Sequence, residues 1–187
     1  ESWMMLYSPK RRIFELKDIL TMIRSCAVVK KTIPNVQYLV YGDNDAVPEY
    51  TKECNRLIEE LGITANFKLA GYHSKPHELF CEGDISILTS ISEGFPYTVI
   101  ESMSCGIPVV ATDVGGVSEA LDSSTGFICK PKDFEEIASR VVELLQNDEL
   151  RMKMGRNARE KVINNFTIDK FIKGYEYAYD NQQFYNR

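Results

Sequence analysis

The sequence has no apolar run near the ~18–20 residues that a helix needs to cross a bilayer. Nor does it contain a cluster of five or six like charges, and its net charge is −5. A nucleic-acid groove or an anionic membrane surface calls for a basic stripe, so neither is an expected partner. There is no C-x-x-C, and the five cysteines, Cys26, Cys54, Cys81, Cys105 and Cys129, are odd in number and widely spaced. A disulfide framework and a thiolate zinc site are therefore not expected; free buried thiols in a reducing cytoplasm are. A G-x-G-x-x-G is missing, which weakens a dinucleotide-dehydrogenase reading, and without G-x-S-x-G an esterase has no nucleophile elbow. No internal repeat or low-complexity segment is visible.

What is present is a soluble globular composition, 44% hydrophobic and 26% charged over 187 residues, enough for one well-packed domain or one with an appendage. Short apolar runs at Trp3–Tyr7, Val36–Tyr41, Asn66–Ala70, Ile85–Thr89, Pro108–Ala111 and Gly126–Cys129 read as strands. Helical periodicities lie between them. Leu16, Ile19, Leu20, Ile23 and Ala27 share one face of the first. A second runs from about Pro48 to Leu61 and ends at Gly62; a short third covers Pro76–Cys81, and others begin near Pro96 and Gly116. Strands alternating with helices imply a doubly wound parallel α/β sheet of six strands, in the order 3-2-1-4-5-6.

After Cys129 the pattern turns helical, and the Rossmann-like core is expected over about 1–147 with extra helices over about 148–181. Asp133 followed by Glu136 reads as a variant capping box. It opens a helix whose apolar face is Phe134, Ile137, Ala138, Val141, Leu144 and Leu145. A polar helix follows over Asp148–Asn164. Thr167 caps a last helix with Ile168, Phe171, Ile172, Tyr175, Ala178 and Tyr179 in one stripe. Packing on the chain's own sheet is the plain expectation for that stripe, and docking on a neighbouring domain is the alternative.

In an open parallel sheet ligands bind beyond the carboxyl ends of the strands, so the loop after the fourth strand matters most. It reads Ser90-Ile91-Ser92-Glu93-Gly94-Phe95-Pro96-Tyr97-Thr98-Val99-Ile100-Glu101. Gly94 permits a tight approach and Pro96 suits the first turn of a helix. The amides of Tyr97, Thr98 and Val99 then stand unpaired at that helix's start, ready for an anion. Two carboxylates around such amides suit a ligand with a diphosphate in its middle and hydroxyls at both ends.

Glu93 and Glu101 have seven residues between them, and with Gly94-Phe95-Pro96 the segment resembles the E-x7-E signature of family 4 glycosyltransferases. The run from Glu101-Ser102-Met103-Ser104-Cys105-Gly106 to Val114-Gly115-Gly116 is similar to that family's continuation. The resemblance covers about residues 12–180 and implies the donor-binding, C-terminal domain of a GT-B enzyme that transfers with retention and without a metal or other cofactor. It implies that Glu101 holds the ribose and that Glu93, with the backbone of Gly94, Phe95 and Pro96, binds the transferred hexose. By the same resemblance the amides near Tyr97 and Thr98 would meet the diphosphate, and Gly115 and Gly116 would lie near the sugar phosphate. The family also places an Arg and a Lys five apart to neutralise the diphosphate, a spacing matched by Arg12 and Lys17; Arg11 stands where the family usually has Gly. The resemblance also implies a base-binding loop after the third strand, at Gly71-Tyr72-His73, with Tyr72 or His73 to pack on the nucleobase.

Arg12-x4-Lys17-Asp18-Ile19, Asp45…Pro48-Glu49-Tyr50 and Leu88–Glu93 are similar to a PelF-like subgroup that builds extracellular polysaccharide, which implies a UDP-hexose donor. The acceptor, a glycan or lipid, would be held by an N-terminal acceptor domain preceding residue 1. Any membrane contact would run through that half.

Other readings compete. Asp43-Asn44-Asp45 is a literal D-x-D, with which GT-A glycosyltransferases hold a metal, but a turn is the commoner use of such residues. His73 and His77 are four apart across Pro76, which argues against a metal pair on one helix face. A non-catalytic nucleotide-sugar-binding or scaffolding module of the same fold, and a sugar-nucleotide epimerase, are the functional alternatives.

Overall fold

The computed structural model describes the backbone of residues 2–12 and the residues 15–75, 78, 80 and 83–180. Six parallel strands form one sheet: β1 Ser2–Arg12, β2 Val36–Asp43, β3 Phe67–Gly71, β4 Ile85–Leu88, β5 Val109–Thr112 and β6 Gly126–Cys129. Their order is β3-β2-β1-β4-β5-β6, as the alternating pattern predicts. β4 and β5 are buried at every residue, which is why they read as unbroken apolar runs rather than alternating ones. The helices are α1 Ile19–Thr32, α2 Pro48–Glu60, α3 Tyr97–Ser104, α4 Val117–Ala120, α5 Phe134–Gln146, α6 Asp148–Asn165 and α7 Ile168–Asp180. The helix expected over Pro76–Cys81 rests mostly on residues outside those described, as do His77 and Cys81.

Strand order steps away from β1 in both directions, so right-handed crossovers put α1 and α2 on one face and α3 and α4 on the other. The contacts agree: α1 packs on α2 and α5, while α3 packs on α4 and α6. α6 belongs to this core through Met154, Ala158 and Val162. Its Gly155 lies so close to the turn after α3 that a Cβ there would stand 2.0 Å from the Gly106 carbonyl oxygen. Arg159 adds a hydrogen bond to the Ser104 carbonyl.

The capping chemistry explains several boundaries. α2 ends as expected: Gly62 at φ 63 donates to the Glu59 carbonyl (3.0 Å) and Ile63 to that of Ile58 (3.1 Å), closing a Schellman turn. Asp133 accepts from the Glu136 amide at 2.9 Å, but the Glu136 carboxylate reaches the amide of Lys130, not that of Asp133. The box therefore also pins the strand exit.

Three expectations are corrected. The first helix begins at Ile19, and its buried stripe is Ile19, Met22, Ile23, Cys26 and Val29; Leu16 sits in a 3-10 turn before it, 45% exposed. β1 runs on to Arg12, in register with Asp43 after a shift beyond Tyr7, so Arg12 ends the strand instead of following it. The stripe on α7 does not pack on the sheet: no residue of that helix is buried, and Ile168, Phe171, Ile172, Tyr175 and Tyr179 are all exposed. Among the described residues no helix is long and apolar enough to cross a membrane.

Candidate functional site: the crevice between β1 and β4

Strand order reverses at β1 and β4, and the crevice outside their carboxyl ends is where such sheets bind ligands. Two loops meet there. After β1, a 3-10 turn over Glu15–Lys17 leads into Asp18, which takes a left-handed conformation (φ 46, ψ 53) that Asp tolerates better than most residues. Its carboxylate caps α1, accepting from the Thr21 amide at 3.3 Å and the Thr21 hydroxyl at 2.7 Å. Tyr50 accepts from the Ile19 amide at 2.9 Å. These contacts turn Lys17 inward, where it is 5% exposed.

The loop after β4 is bonded to that turn by backbone and side chain alike. Ile91 donates to the Leu16 carbonyl at 2.9 Å, and the buried Thr89 hydroxyl to the Lys17 carbonyl at 2.9 Å. The Lys17 ammonium is bonded to the Glu93 carboxylate. Ser90, itself buried, donates to that carboxylate at 2.6 Å, and Thr112 at the end of β5 donates to the Ser90 carbonyl at 2.5 Å. Thr89, Ser90 and Thr112 were not anticipated as site residues. Their signal was three hydroxyls at the ends of apolar strands, positions where burial demands partners.

Gly115 and Gly116 close the crevice from the β5 side. The Gly116 amide donates to the Gly94 carbonyl at 2.7 Å. A Cβ on Gly115, which has φ 53, would fall 2.0 Å from the Glu93 carbonyl oxygen, and one on Gly116 would fall 2.7 Å from the Phe95 ring. Only glycine lets the two loops touch here. Beyond Phe95, the buried Pro96 occupies the N-cap position of α3. Its carbonyl accepts from the Val99 amide at 3.0 Å, so the expected trio of open amides reduces to Tyr97 and Thr98, which have no hydrogen-bond partner among the described residues. Glu101 is half-buried in the second turn of α3, about 6 Å along the axis from Tyr97 at 1.5 Å per residue.

The structure thus brings together Lys17, Glu93, Gly94, Phe95, Gly115 and Gly116, with the open start of α3 next to them. Arg12 ends β1 beside that turn; its side chain lies outside the described residues. Tyr72 and His73 follow the end of β3, two strands from the switch point. Tyr72 is exposed, and His73 meets Tyr41 edge-on at 6.0 Å and accepts from the Lys75 amide at 3.2 Å. Asp43-Asn44-Asp45 forms an Asx turn, the Asp45 amide donating to the Asp43 carboxylate at 3.0 Å. Among the described residues no three His, Cys, Asp or Glu side chains gather as metal ligands would.

A six-stranded Rossmann-like sheet with its crevice built from these loops is the α/β architecture of GT-B glycosyltransferases. The chain belongs to the Glycosyl transferases group 1 family, whose model matches residues 5–161. It is 29% identical over 166 residues to the N-acetyl-alpha-D-glucosaminyl L-malate synthase of Bacillus anthracis, covering 88% of this chain and 42% of that protein. It is 32% identical over 166 residues to the trehalose synthase of Pyrococcus horikoshii, covering 85% and 40%. Among solved structures, HepE from Anabaena in complex with UDP-glucose superposes with a TM-score of 0.78 at 25% identity, over 85% of this chain and 43% of that one. The chain spans about two fifths of the length of the curated relatives it matches.

Proposed function

We propose that this chain is the nucleotide-sugar-binding part of a family 4, retaining glycosyltransferase. It takes a hexose from a nucleotide-diphosphate donor, UDP-linked, for transfer to a glycan or lipid acceptor. The observation that carries the reading is the pairing of Lys17 with Glu93 across the switch point, beside two glycines and the open start of α3. A cation, a carboxylate and free amides converge where an α/β sheet takes phosphates. Family membership and the E-x7-E spacing support it, as does the UDP-glucose held by HepE.

In this reading Lys17 and Arg12 neutralise the diphosphate, and the Tyr97 and Thr98 amides bind its oxygens. Glu93 and the Gly94–Pro96 backbone take the hexose hydroxyls, and Glu101 the ribose. Gly115 and Gly116 let the sugar phosphate approach the backbone, and Tyr72 or His73 packs on the base. Transfer breaks the bond between the anomeric carbon and the diphosphate, and the leaving oxygen gains negative charge. Cations and amides fixed beforehand stabilise that charge more than the ground state, which is where their rate effect lies. Acceptor groups come from the remainder of the longer polypeptide its relatives possess, and the exposed face of α7 suits contact with it. The PelF-like motifs point to polysaccharide synthesis in the cytoplasm.

Calorimetry with UDP, UDP-glucose and GDP tests this. UDP is expected to bind best, Glu101→Ala to weaken it by about 1.5–3 kcal/mol as a charged hydrogen-bond acceptor is lost, and Glu93→Ala mainly to impair sugar turnover. If no nucleotide binds, the donor assignment falls and a scaffolding module of this fold takes its place.

A further inference from the structure

The ring of Phe95 belongs to the turn that carries Glu93 and leads into α3, and it has two close neighbours. One is the backbone of Gly116, near enough that a Cβ there would stand 2.7 Å from the ring. Another is Phe166, whose ring centroid is 5.9 Å away at an interplanar angle of 41°. Tyr97, the first residue of α3, meets Phe95 edge-on at 6.2 Å. Phe166 is itself fixed: it ends α6, its amide donates to the Val162 carbonyl at 2.9 Å, and its ring packs against the core. The next residue, Thr167, caps α7, which buries nothing. Between the two segments lies a pocket of about 380 Å³, lined by Phe95, Tyr97 and Ile100 from one side and by Phe166, Thr167 and Phe171 from the other.

We propose that Phe166 is a positioning residue for the donor turn: through the ring of Phe95 it presses the Glu93–Pro96 segment onto Gly115 and Gly116, and so ties the shape of that turn to the root of α7. The proposal rests on the donor-site reading above. The Gly116 backbone leaves no room for Phe95 to move towards it, whereas the Phe166 ring is a neighbour that a substitution removes. Removing that ring opens space into the adjoining pocket, and Phe95 can follow it, carrying Gly94 and the start of α3. A displacement near 1 Å at a binding constellation is worth up to about 100-fold in rate. Among the described residues of α7 none is buried.

The test uses the full-length protein with Phe166→Ala, Phe166→Leu, Phe95→Ala and the Phe95/Phe166 double variant. Readouts are hydrogen exchange of the 93–99 amides without ligand and affinity for UDP. Phe166→Ala is expected to speed exchange in that segment about tenfold, with the β4 and β5 amides unchanged, and to weaken UDP about fivefold. Phe166→Leu, which keeps the bulk and the fold, gives a smaller change in the same segment. The double variant is no worse than Phe95→Ala, since the two act as one unit. Exchange raised evenly over the domain, or effects of the two substitutions that multiply, overturns the proposal. If the unaltered protein binds no UDP, the donor reading fails on its own, and exchange still decides whether Phe166 governs the turn.

Discussion

The ammonium of Lys17 is bonded to the carboxylate of Glu93 across the β1–β4 crevice, and the two side chains are 7% and 6% exposed. A pair so buried is held by mutual compensation: each charge is tolerable because the other is there. Glu93→Ala, which leaves the Lys17 ammonium buried without that carboxylate, should lower unfolding free energy by about 3–5 kcal/mol, and Lys17→Ala should lower it as well. The double variant Lys17→Met/Glu93→Leu should recover most of that while abolishing donor binding. Urea unfolding measures this; single variants with unchanged midpoints would show the pair to be energetically idle.

Ser90 tunes the same carboxylate. Its 2.6 Å hydrogen bond to Glu93 is charge-assisted, and Ser90→Ala should cost about 1.5–3 kcal/mol of stability. With Glu93 in the proposed donor role, sugar transfer should fall together with it, because Glu93 loses one of its restraints. Wild-type kinetics in a destabilised Ser90→Ala protein would limit the hydroxyl to a folding role.

The glycines of the crevice should not be equivalent. Gly115 combines φ 53 with a Cβ position 2.0 Å from the Glu93 carbonyl oxygen, whereas a Cβ on Gly94 meets nothing within 4 Å. Gly115→Ala is therefore expected to cost about 2–4 kcal/mol through strain and overpacking. Gly94→Ala should be nearly silent in thermal unfolding. Equal melting temperatures for the two variants would contradict the close approach of the loops.

Asp122 supplies a pH signature away from the crevice. Partial burial pushes its carboxyl up, but hydrogen bonds from Lys161 and Ser124, with the charge of Lys161, outweigh that and bring it from 3.8 down to about 2. A depressed folded value means that the stabilisation is present above the unfolded value and is lost as pH falls from about 4 towards 2. The side chain is 47% exposed, so the effect should stay below about 1 kcal/mol. Asp122→Asn should lower the melting temperature at pH 7 and match the unaltered protein at pH 2. A gap that persists at pH 2 would assign it to something other than the charge.

Strand order, most helix positions and the place of the loop after β4 were legible because each had a local cause. β4 and β5 are buried on both faces, so their runs are continuous; Gly62 and Thr167 mark helix ends by capping chemistry; and Glu93 is spaced from Glu101, and Lys17 from Arg12, as in the resembled family. What the sequence could not display depends on contacts far along the chain. The Glu136 carboxylate chose the Lys130 amide because the strand exit passes there. The Val99 amide found the Pro96 carbonyl because Pro96 lies one place before the helix instead of within it. Leu16 matched the period of α1 but precedes it, since Asp18 turns the backbone first. Phe166, 71 positions beyond Phe95, carried no signal beyond being one more aromatic.

The contact between Gly155 and Gly106 has a mechanical consequence. α6 presses its middle on the turn that follows α3 with no side chain between, and the residue capping its carboxyl end, Phe166, rests on the ring just ahead of α3. It thus splints both ends of the helix bearing Glu101. Any roll of that helix, which would change the span between the two acids, must drag an 18-residue neighbour along. Adjustment to different ligands is thereby shifted to the loops, Glu93 among them, while the helix that carries Glu101 behaves as a fixed gauge.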